Sequence, residues 1–312
     1  MKLVYYSLAL QDRSPLENQW LQSIRGLRRY NQKIAVHLVV YGGVPSRIRS
    51  EADRSEVVVH ELADYAEYLS GISEKGSILA KYRTFHKFLS LGHLPTQGLS
   101  QILYLDCDTF FFDDVGKLFQ FYSSCDWYAR EEPYSRQSHL GYDPAYLDET
   151  ALECAARKEG LAQVLPFNTG VCLLNNGVWD RLQQLQSTYL DFAWRLLAGM
   201  DLNAPVALKK EAIPAKIGGT TSLGQPPTEN DRSRVLKHPS SNPWIIDQVA
   251  LWMTLGDLRP MSQGFFDRKH VAQNGEIITA LENGRGCIVA HYFSNLSLHK
   301  PSGTTLASAE GE

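Results

Sequence analysis

The sequence predicts an α/β fold with a largely parallel central sheet flanked by helices. Apolar, β-branched and aromatic runs alternate with segments of helical periodicity from residue 3 to residue 105, and this order is typical of parallel sheets. The 312 residues are 44% hydrophobic, which is enough for a sizeable buried core. Two acids also follow a short apolar run directly, as ligand-binding residues do at the carboxyl edge of such sheets.

The first third of the chain has a β-α-β order that repeats. The predicted strands are 3–10, 34–41, 57–60 and 102–105, and the predicted helices are 16–27 and about 78–91. Apolar residues recur three or four positions apart in the helices, whereas the strands are short and rich in β-branched residues.

The rest of the chain is predicted as follows: a short helix around Leu118, strands at 126–129, 167–176 and 287–293, and helices at 178–197 and 244–255. Residues 110–112 are three phenylalanines, which we assign to the core. The segment 201–243 is rich in Pro, Gly, Ser, Thr and Asn, which predicts a long loop. We expect a single domain over 1–301, with halves at about 1–110 and 111–301, and a flexible tail at 302–312.

The acids that follow the fourth strand are Asp106 and Asp108, separated by Cys107. In an extended segment, residues two apart point to the same side, so the two carboxylates can converge on one cation. Hard oxygen ligands suit Mg²⁺ or Mn²⁺. An Asp-x-Asp at a strand end is also common in turns that have no metal.

Composition limits the class of partner. The net charge of -3 provides no general basic surface, which is against a nucleic-acid partner. No apolar run is long enough to span a bilayer, and the start of the chain has no signal-peptide pattern. The five cysteines have no metal-ligand spacing, so we expect reduced thiols and a cytoplasmic location.

Further motifs stand in a fixed order before and after the acids. They are Ala80-Lys81-Tyr82-Arg83 before the acids and, after them, Phe167-Asn168-Thr169-Gly170-Val171, Ile246-Asp247-Gln248-Val249-Ala250-Leu251, His291-Tyr292-Phe293-Ser294 and Lys300-Pro301. Together with Asp106-Cys107-Asp108, the pattern resembles the glycogenin-like and lipopolysaccharide-galactosyltransferase-like glycosyltransferases (glycosyltransferase family 8-like). The resemblance runs from the first strand to Pro301. It implies a GT-A fold of the nucleotide-diphospho-sugar transferase type and transfer with retention of anomeric configuration.

The resemblance also implies roles for individual residues. Asp106, Asp108 and His291 would bind Mn²⁺ or Mg²⁺, and an imidazole ligand favours Mn²⁺. A nucleotide-sugar donor, UDP-glucose or UDP-galactose, would be bound by residues along the whole chain: Ala9, Lys81, Arg83, Asp106, Cys107, Asp108, Asn168, Thr169 and Lys300. Several have an ordinary structural explanation when taken alone: a turn before a strand for Asn168 and Thr169, and a solvated helix face for Lys81 and Arg83.

Asp247 and Gln248 are the implied catalytic residues. The acid would bind sugar hydroxyls, and the amide would lie near the reactive face of the anomeric carbon. Retention permits front-side displacement or a double displacement through a nucleophile. We favour front-side attack because no carboxylate nucleophile stands out. Acids at the start of a helix are also favoured by the helix dipole alone.

The sequence departs from the family pattern in three places. The interval from His291 to Lys300 is longer than usual, so that His299 could share the role of Lys300. Ser302 replaces the customary tryptophan after Lys300-Pro301. The segment 201–243 is an insertion that short family members lack, and it is expected to form either an acceptor pocket or lid, or a surface loop.

Two other functions use the same acids. Leu105-Asp106-Cys107-Asp108-Thr109 approximates the aspartyl nucleophile motif of haloacid-dehalogenase-like phosphatases, with Asp106 as nucleophile. A non-catalytic nucleotide-sugar-binding protein is the third interpretation. The sequence leaves the acceptor open between a glycan, a lipid, a protein and a metabolite.

Overall fold

The computed structural model describes residues 1–10, 16–82, 84–133, 135, 147–161, 164–199, 245–257, 261–273, 276 and 286–291. Within this part of the chain, no helix combines the length and the apolar character that crossing a membrane requires. The predicted tail at 302–312 and the predicted insertion at 201–243 lie outside these residues.

The centre of the molecule is a seven-stranded sheet with the order β3-β2-β1-β4-β7-β6-β8. Neighbouring strands are parallel except at β7, which is antiparallel to both β4 and β6. The predicted largely parallel α/β fold is therefore confirmed. The strands are β1 Lys2–Ala9, β2 Ala35–Tyr41, β3 Val57–Leu62, β4 Gln101–Leu105, β5 Thr109–Phe111, β6 Trp127–Glu131, β7 Phe167–Asn175, β8 Gln263–Phe265, β9 Val271–Gln273 and β10 Val289–His291.

Helices cover both faces of this sheet. They are α1 Leu16–Tyr30, α2 Ser46–Arg54, α3 Tyr65–Ile72, α4 Gly76–Leu79, α5 His86–Leu89, α6 Gly116–Phe121, α7 Glu149–Lys158, α8 Val178–Gln184, α9 Gln186–Gly199 and α10 Ile246–Asp257, with a 3₁₀ turn at Ser90–His93. Alternate residues of β1 belong to two separate apolar clusters: Leu3 and Tyr5 to one, and Val4, Tyr6 and Leu8 to the other. Burial on both faces explains why β1 is a continuous apolar run.

Two predicted helices are interrupted. The helix predicted at 78–91 is divided into α4, α5 and the 3₁₀ turn, and the one predicted at 178–197 is divided into α8 and α9. In the first case β1 binds the backbone of α5: Tyr5 donates to the Lys87 carbonyl at 3.2 Å and Ser7 donates to the His86 carbonyl at 3.4 Å. Tertiary hydrogen bonds hold α5 against the sheet, and helical periodicity does not reveal them.

A second, three-stranded sheet has the order β5-β10-β9. Strand β5 begins one residue after Asp108, and its Thr109 pairs with His291 of β10. This sheet therefore carries a residue from the end of the described chain to the end of β4. It also corrects the assignment of 110–112 to the core, because Phe111 is buried while Phe110 is 44% exposed.

Candidate active site

The candidate site lies at the carboxyl end of β4. Strand β4 ends at Leu105, and a turn carries Asp106, Cys107 and Asp108. The Asp106 amide donates to the Gly170 carbonyl of β7 at 2.8 Å, and the Thr109 hydroxyl donates to the Asp106 carbonyl at 2.9 Å. The two carboxylates thus converge by way of a fixed turn, where the sequence predicted an extended segment.

His291, at the end of β10 in the second sheet, lies next to both acids. Its Nε2 lies 3.4 Å from Oδ2 of Asp106 and 3.2 Å from Oδ1 of Asp108. One ligand atom from each of the three residues lies within 4.8 Å of the others. Two carboxylates and one imidazole suit a divalent cation such as Mn²⁺. The three predicted metal ligands are therefore brought together, and their chemistry fits a divalent cation.

A β-bulge in β7 lies beside the site. Between Ala129 and Arg130 of β6, the register on β7 moves from Cys172 to Asn168. The amide of Gly170 donates to Oδ1 of Asn168 at 2.9 Å, so a side chain satisfies the bulged backbone. Bulges commonly redirect side chains beside active sites, and the sequence predicted only a polar turn before the strand.

Lys87 lies inside the site, although the sequence analysis did not select it. Its Nζ is 2.8 Å from Oδ2 of Asp106, 3.4 Å from Oγ1 of Thr169 and 4.0 Å from Oδ2 of Asp247. It is carried by α5, which β1 holds against the sheet. The ammonium therefore joins a predicted metal ligand, a predicted donor-binding residue and a predicted catalytic residue.

Charge pairing influences the protonation states of Asp106, His291 and Asp247. Burial favours the neutral form of Asp106, but Lys87 and His291 outweigh burial and hold its pKa well below the usual value. Burial lowers the pKa of His291, yet Asp108 and Asp106 raise it to about 9. Burial and the charge of Asp106 raise the pKa of Asp247 to about 6 against the opposing effect of Lys87. At neutral pH, Asp106 is ionised and Asp247 is largely so.

Asp247 and Gln248 lie in the first turn of α10, as predicted. Both side chains are buried. Oε1 of Gln248 accepts a hydrogen bond from the Thr169 amide at 2.8 Å and one from the Thr169 hydroxyl at 3.2 Å. Because Thr169 lies in the bulge, its backbone amide is available to the Gln248 side chain of α10. The start of α10 is thereby joined to the start of β7.

The other predicted donor-binding residues fall in different places. Ala9 is the last residue of β1 and is buried. The Cys107 side chain packs in the core, where its thiol donates to the Ser7 carbonyl at 3.9 Å. Lys81 is exposed just beyond α4. Arg83 and Lys300 lie outside the described residues.

Two residues of the site escaped the sequence analysis, namely Lys87 and Glu132. Lys87 was placed within a continuous helix from 78 to 91, where a lysine is typical of a solvated face. Glu132 follows β6 and is fully buried, with an exposed fraction of 0%. A signal was present for Glu132, since β6 runs parallel to β4 and its carboxyl end must reach the same edge.

Comparisons with known proteins give similarity to solved structures alone. No protein-family model and no curated protein matches the sequence. Mouse xyloside xylosyltransferase 1 is 16% identical, with 95% of this chain and 97% of that chain covered and a TM-score of 0.48. The galactosyltransferase LgtC, solved with donor and acceptor sugar analogues, is 13% identical over 95% of this chain and 88% of that one, at 0.46.

A third similar structure is the glycosyltransferase GlyE of Streptococcus pneumoniae TIGR4. It is 14% identical over 94% of this chain and 55% of that chain, with a TM-score of 0.44. All three proteins are glycosyltransferases. The similarities concern the course of the backbone, and we take the function from the residues of the site.

Proposed function

We propose that this chain is a metal-dependent retaining glycosyltransferase that moves a hexose from a UDP-sugar to a hydroxyl acceptor. The observation that carries the proposal is the convergence of Asp106, Asp108 and His291 beside Lys87 and the start of α10. Cation ligands and groups suited to sugar hydroxyls meet at one edge of the sheet. That combination serves a substrate with a diphosphate next to a sugar.

The three proposed cation ligands would serve to stabilise the diphosphate leaving group. Asp106, Asp108 and His291 would hold Mn²⁺ or Mg²⁺, which supplies Lewis-acid stabilisation of the diphosphate as its negative charge increases. His291 must be neutral to act as a ligand. Its charge in the free protein is stabilised by the same two acids that would share the ion with it.

The groups proposed to bind the sugar lie next to Asp106, around Lys87. The Asp247 carboxylate can accept hydrogen bonds from sugar hydroxyls, and the ammonium of Lys87, 4.0 Å away, keeps it from being an isolated buried charge. Asn168, Thr169 and Gln248 add neutral donors and acceptors. Such an array orients a hexose without reacting with it.

Transfer in this proposal is a front-side displacement. The bond from the anomeric carbon to the phosphate oxygen breaks, and the acceptor oxygen bonds to the same face of that carbon. The acceptor proton moves to the departing phosphate oxygen. The side chains hold the donor and exclude water, which would otherwise hydrolyse it.

The phosphatase alternative requires Asp106 to be a free nucleophile. Its Oδ1 accepts a hydrogen bond from the Tyr104 hydroxyl, and its Oδ2 accepts one from Lys87 at 2.8 Å. Both oxygens are engaged in a manner that suits a ligand or a positioned acid better than an attacking group. The same contacts favour the transferase.

The donor sugar, the acceptor and the location of the reaction extend this proposal. UDP-glucose and UDP-galactose are the proposed donors, and a glycan, lipid, protein or metabolite hydroxyl is the acceptor. All five cysteines are free, which supports the proposal of a reducing, cytoplasmic environment.

The test is the release of UDP from UDP-glucose and UDP-galactose, with Mn²⁺ and with EDTA. The Asp108→Asn variant keeps the shape of the side chain while removing its charge, and Asp53→Asn on the exposed side of α2 is its control. We expect release that needs metal, is retained by Asp53→Asn and is lost by Asp108→Asn. Hydrolysis of p-nitrophenyl phosphate without release from any nucleotide sugar would establish the phosphatase instead.

A further inference from the structure

Glu132 is a buried acid with no role in the reaction described above. It follows β6, and its side chain is fully enclosed. Its Oε2 accepts a hydrogen bond from Nε2 of Gln248 at 3.4 Å. A buried carboxyl group needs polar partners, and the Gln248 amide is one of them. Its presence next to a proposed catalytic amide suggests a functional reason.

The two neighbours of the Gln248 amide determine its orientation. Oε2 of Glu132 accepts from the NH₂ end of the Gln248 amide, and a backbone amide can only donate a hydrogen bond. Glu132 therefore selects the NH₂ end of the amide, and the Thr169 amide, at 2.8 Å, selects its oxygen. A reversed amide would lose both hydrogen bonds.

The hydrogen bonds of Gln248 continue toward the proposed cation ligands. Because Oε1 of Gln248 also accepts from the Thr169 hydroxyl at 3.2 Å, that hydroxyl presents its lone pairs to Lys87, 3.4 Å away. Lys87 in turn donates to Asp106 at 2.8 Å. An unbroken series of hydrogen bonds thus leads from Glu132 to a proposed metal ligand.

We propose that Glu132 is a positioning residue for sugar transfer, which acts by fixing the orientation of the Gln248 amide. This inference rests on the proposed transferase function. In this proposal Glu132 acts through Gln248 and not on the substrate itself. It should therefore affect the rate of transfer and leave the binding of metal and UDP intact.

The first variant is Glu132→Gln. Its amide can donate toward Gln248 as well as accept, so residue 132 no longer selects the NH₂ end of the Gln248 amide. We expect kcat to fall by about 10- to 100-fold, as outer-shell partners of active sites typically show. The Kd of UDP with Mn²⁺ should stay within about twofold. Glu131→Gln is the matched control, since Glu131 is adjacent and bonds Arg268 at 3.1 Å. Glu132→Asp, which is too short to reach Gln248, should reproduce the loss.

A double-mutant cycle tests whether Glu132 acts through Gln248. If it does, Glu132→Gln combined with Gln248→Ala should be no slower than Gln248→Ala alone. A rate reduced by the product of the two single effects would overturn the proposal.

Hydrogen exchange at the Thr169 amide gives a readout that needs no enzyme activity. We expect faster exchange in Glu132→Gln, because a Gln248 amide that also takes the reversed orientation accepts this N–H for only part of the time, with no change in Glu131→Gln. Unchanged exchange at Thr169 would overturn the role of Glu132. Failure of the unaltered protein to release UDP from any sugar donor would instead overturn the proposed function, so the two failures are distinguishable.

Discussion

His291 packs directly against the backbone of Gly170. A methyl group built on Gly170 would lie 1.9 Å from Cε1 of His291 and 2.2 Å from its Nδ1 and Nε2. Real atoms cannot approach so closely, so the imidazole occupies the space that any other residue would fill. The glycine in the bulge is therefore what allows His291 to reach Asp106 and Asp108.

Replacing this glycine should remove the cation site without touching a ligand. In Gly170→Ala the imidazole must move away, and we expect metal-dependent UDP binding to fall by about 100-fold or more, as for loss of a metal ligand or its support. Titration calorimetry measures this change. Gly71→Ala is the control, because nothing lies within 4 Å of a methyl group there. Equal binding in both variants would show that His291 is not needed.

Lys87 should matter far more than Lys81, the lysine favoured by the sequence pattern. Lys87→Met removes the ammonium beside Asp106 and Asp247, and we expect destabilisation on the order of 2 kcal/mol together with loss of sugar transfer. Lys81→Met changes an exposed residue and should alter stability by less than about 0.5 kcal/mol. Urea unfolding and UDP release measure the two effects. A larger loss of transfer in Lys81→Met would restore the original assignment.

A buried ion pair should stabilise the connection between β6 and the second sheet. Arg130 lies 2.9 and 3.1 Å from the two carboxylate oxygens of Glu276, which also accepts from the Gln273 amide at 2.9 Å. Arg130→Met removes both of these hydrogen bonds from the largely buried carboxylate, which Arg268 then faces from 4.0 Å, and we expect a loss of about 3 kcal/mol in unfolding free energy.

The control for this pair is an exposed one. Arg195, which is 47% exposed, bonds Glu159 and Asp191, and Arg195→Met should cost at most about 1 kcal/mol. Chemical denaturation of both variants decides the matter, and equal losses would count against a structural role for the buried pair.

Stability should decrease at mildly acidic pH because of two stacked histidines. His37 Nδ1 lies 2.8 Å from His60 Nε2. Burial and the neighbouring His60 lower the pKa of His37 from 6.5 to about 4. Between these values the unfolded chain binds a proton that the folded chain does not, so unfolding becomes easier as pH falls below 6.5.

Because His37 binds at most one proton, it can change the free energy of unfolding by at most about 1.4 kcal/mol per pH unit. We expect His37→Leu to show a smaller loss of stability than the unaltered protein between pH 6.5 and 4, measured by urea unfolding. Parallel pH profiles for the two proteins would show that His37 is not responsible.

The general fold and the acids could be predicted from sequence because their signals are local. Asp106 and Asp108 end an apolar strand, and strand order places that end at the ligand-binding edge. His291 was identified only through its motif, since it approaches the acids by way of a second sheet. Contacts between distant segments leave no mark in the periodicity of either.

The position of Lys87 and the contact that Glu132 makes could not be predicted for the same reason. Lys87 enters the site because β1 binds the carbonyls of α5 and interrupts a helix that the periodicity predicts to be continuous. Glu132 is defined by its contact with Gln248, which is more than a hundred positions away. The bulge that exposes the Thr169 amide depends on pairing between β6 and β7. Each is a tertiary effect.

The most direct test of the account is calorimetry of UDP binding with and without Mn²⁺, in the unaltered protein and in Asp108→Asn. The cluster of Asp106, Asp108 and His291 predicts binding that needs the metal and is lost in the variant, while Asp53→Asn binds normally. UDP binding that is equally strong without metal, or unchanged in Asp108→Asn, would contradict the account.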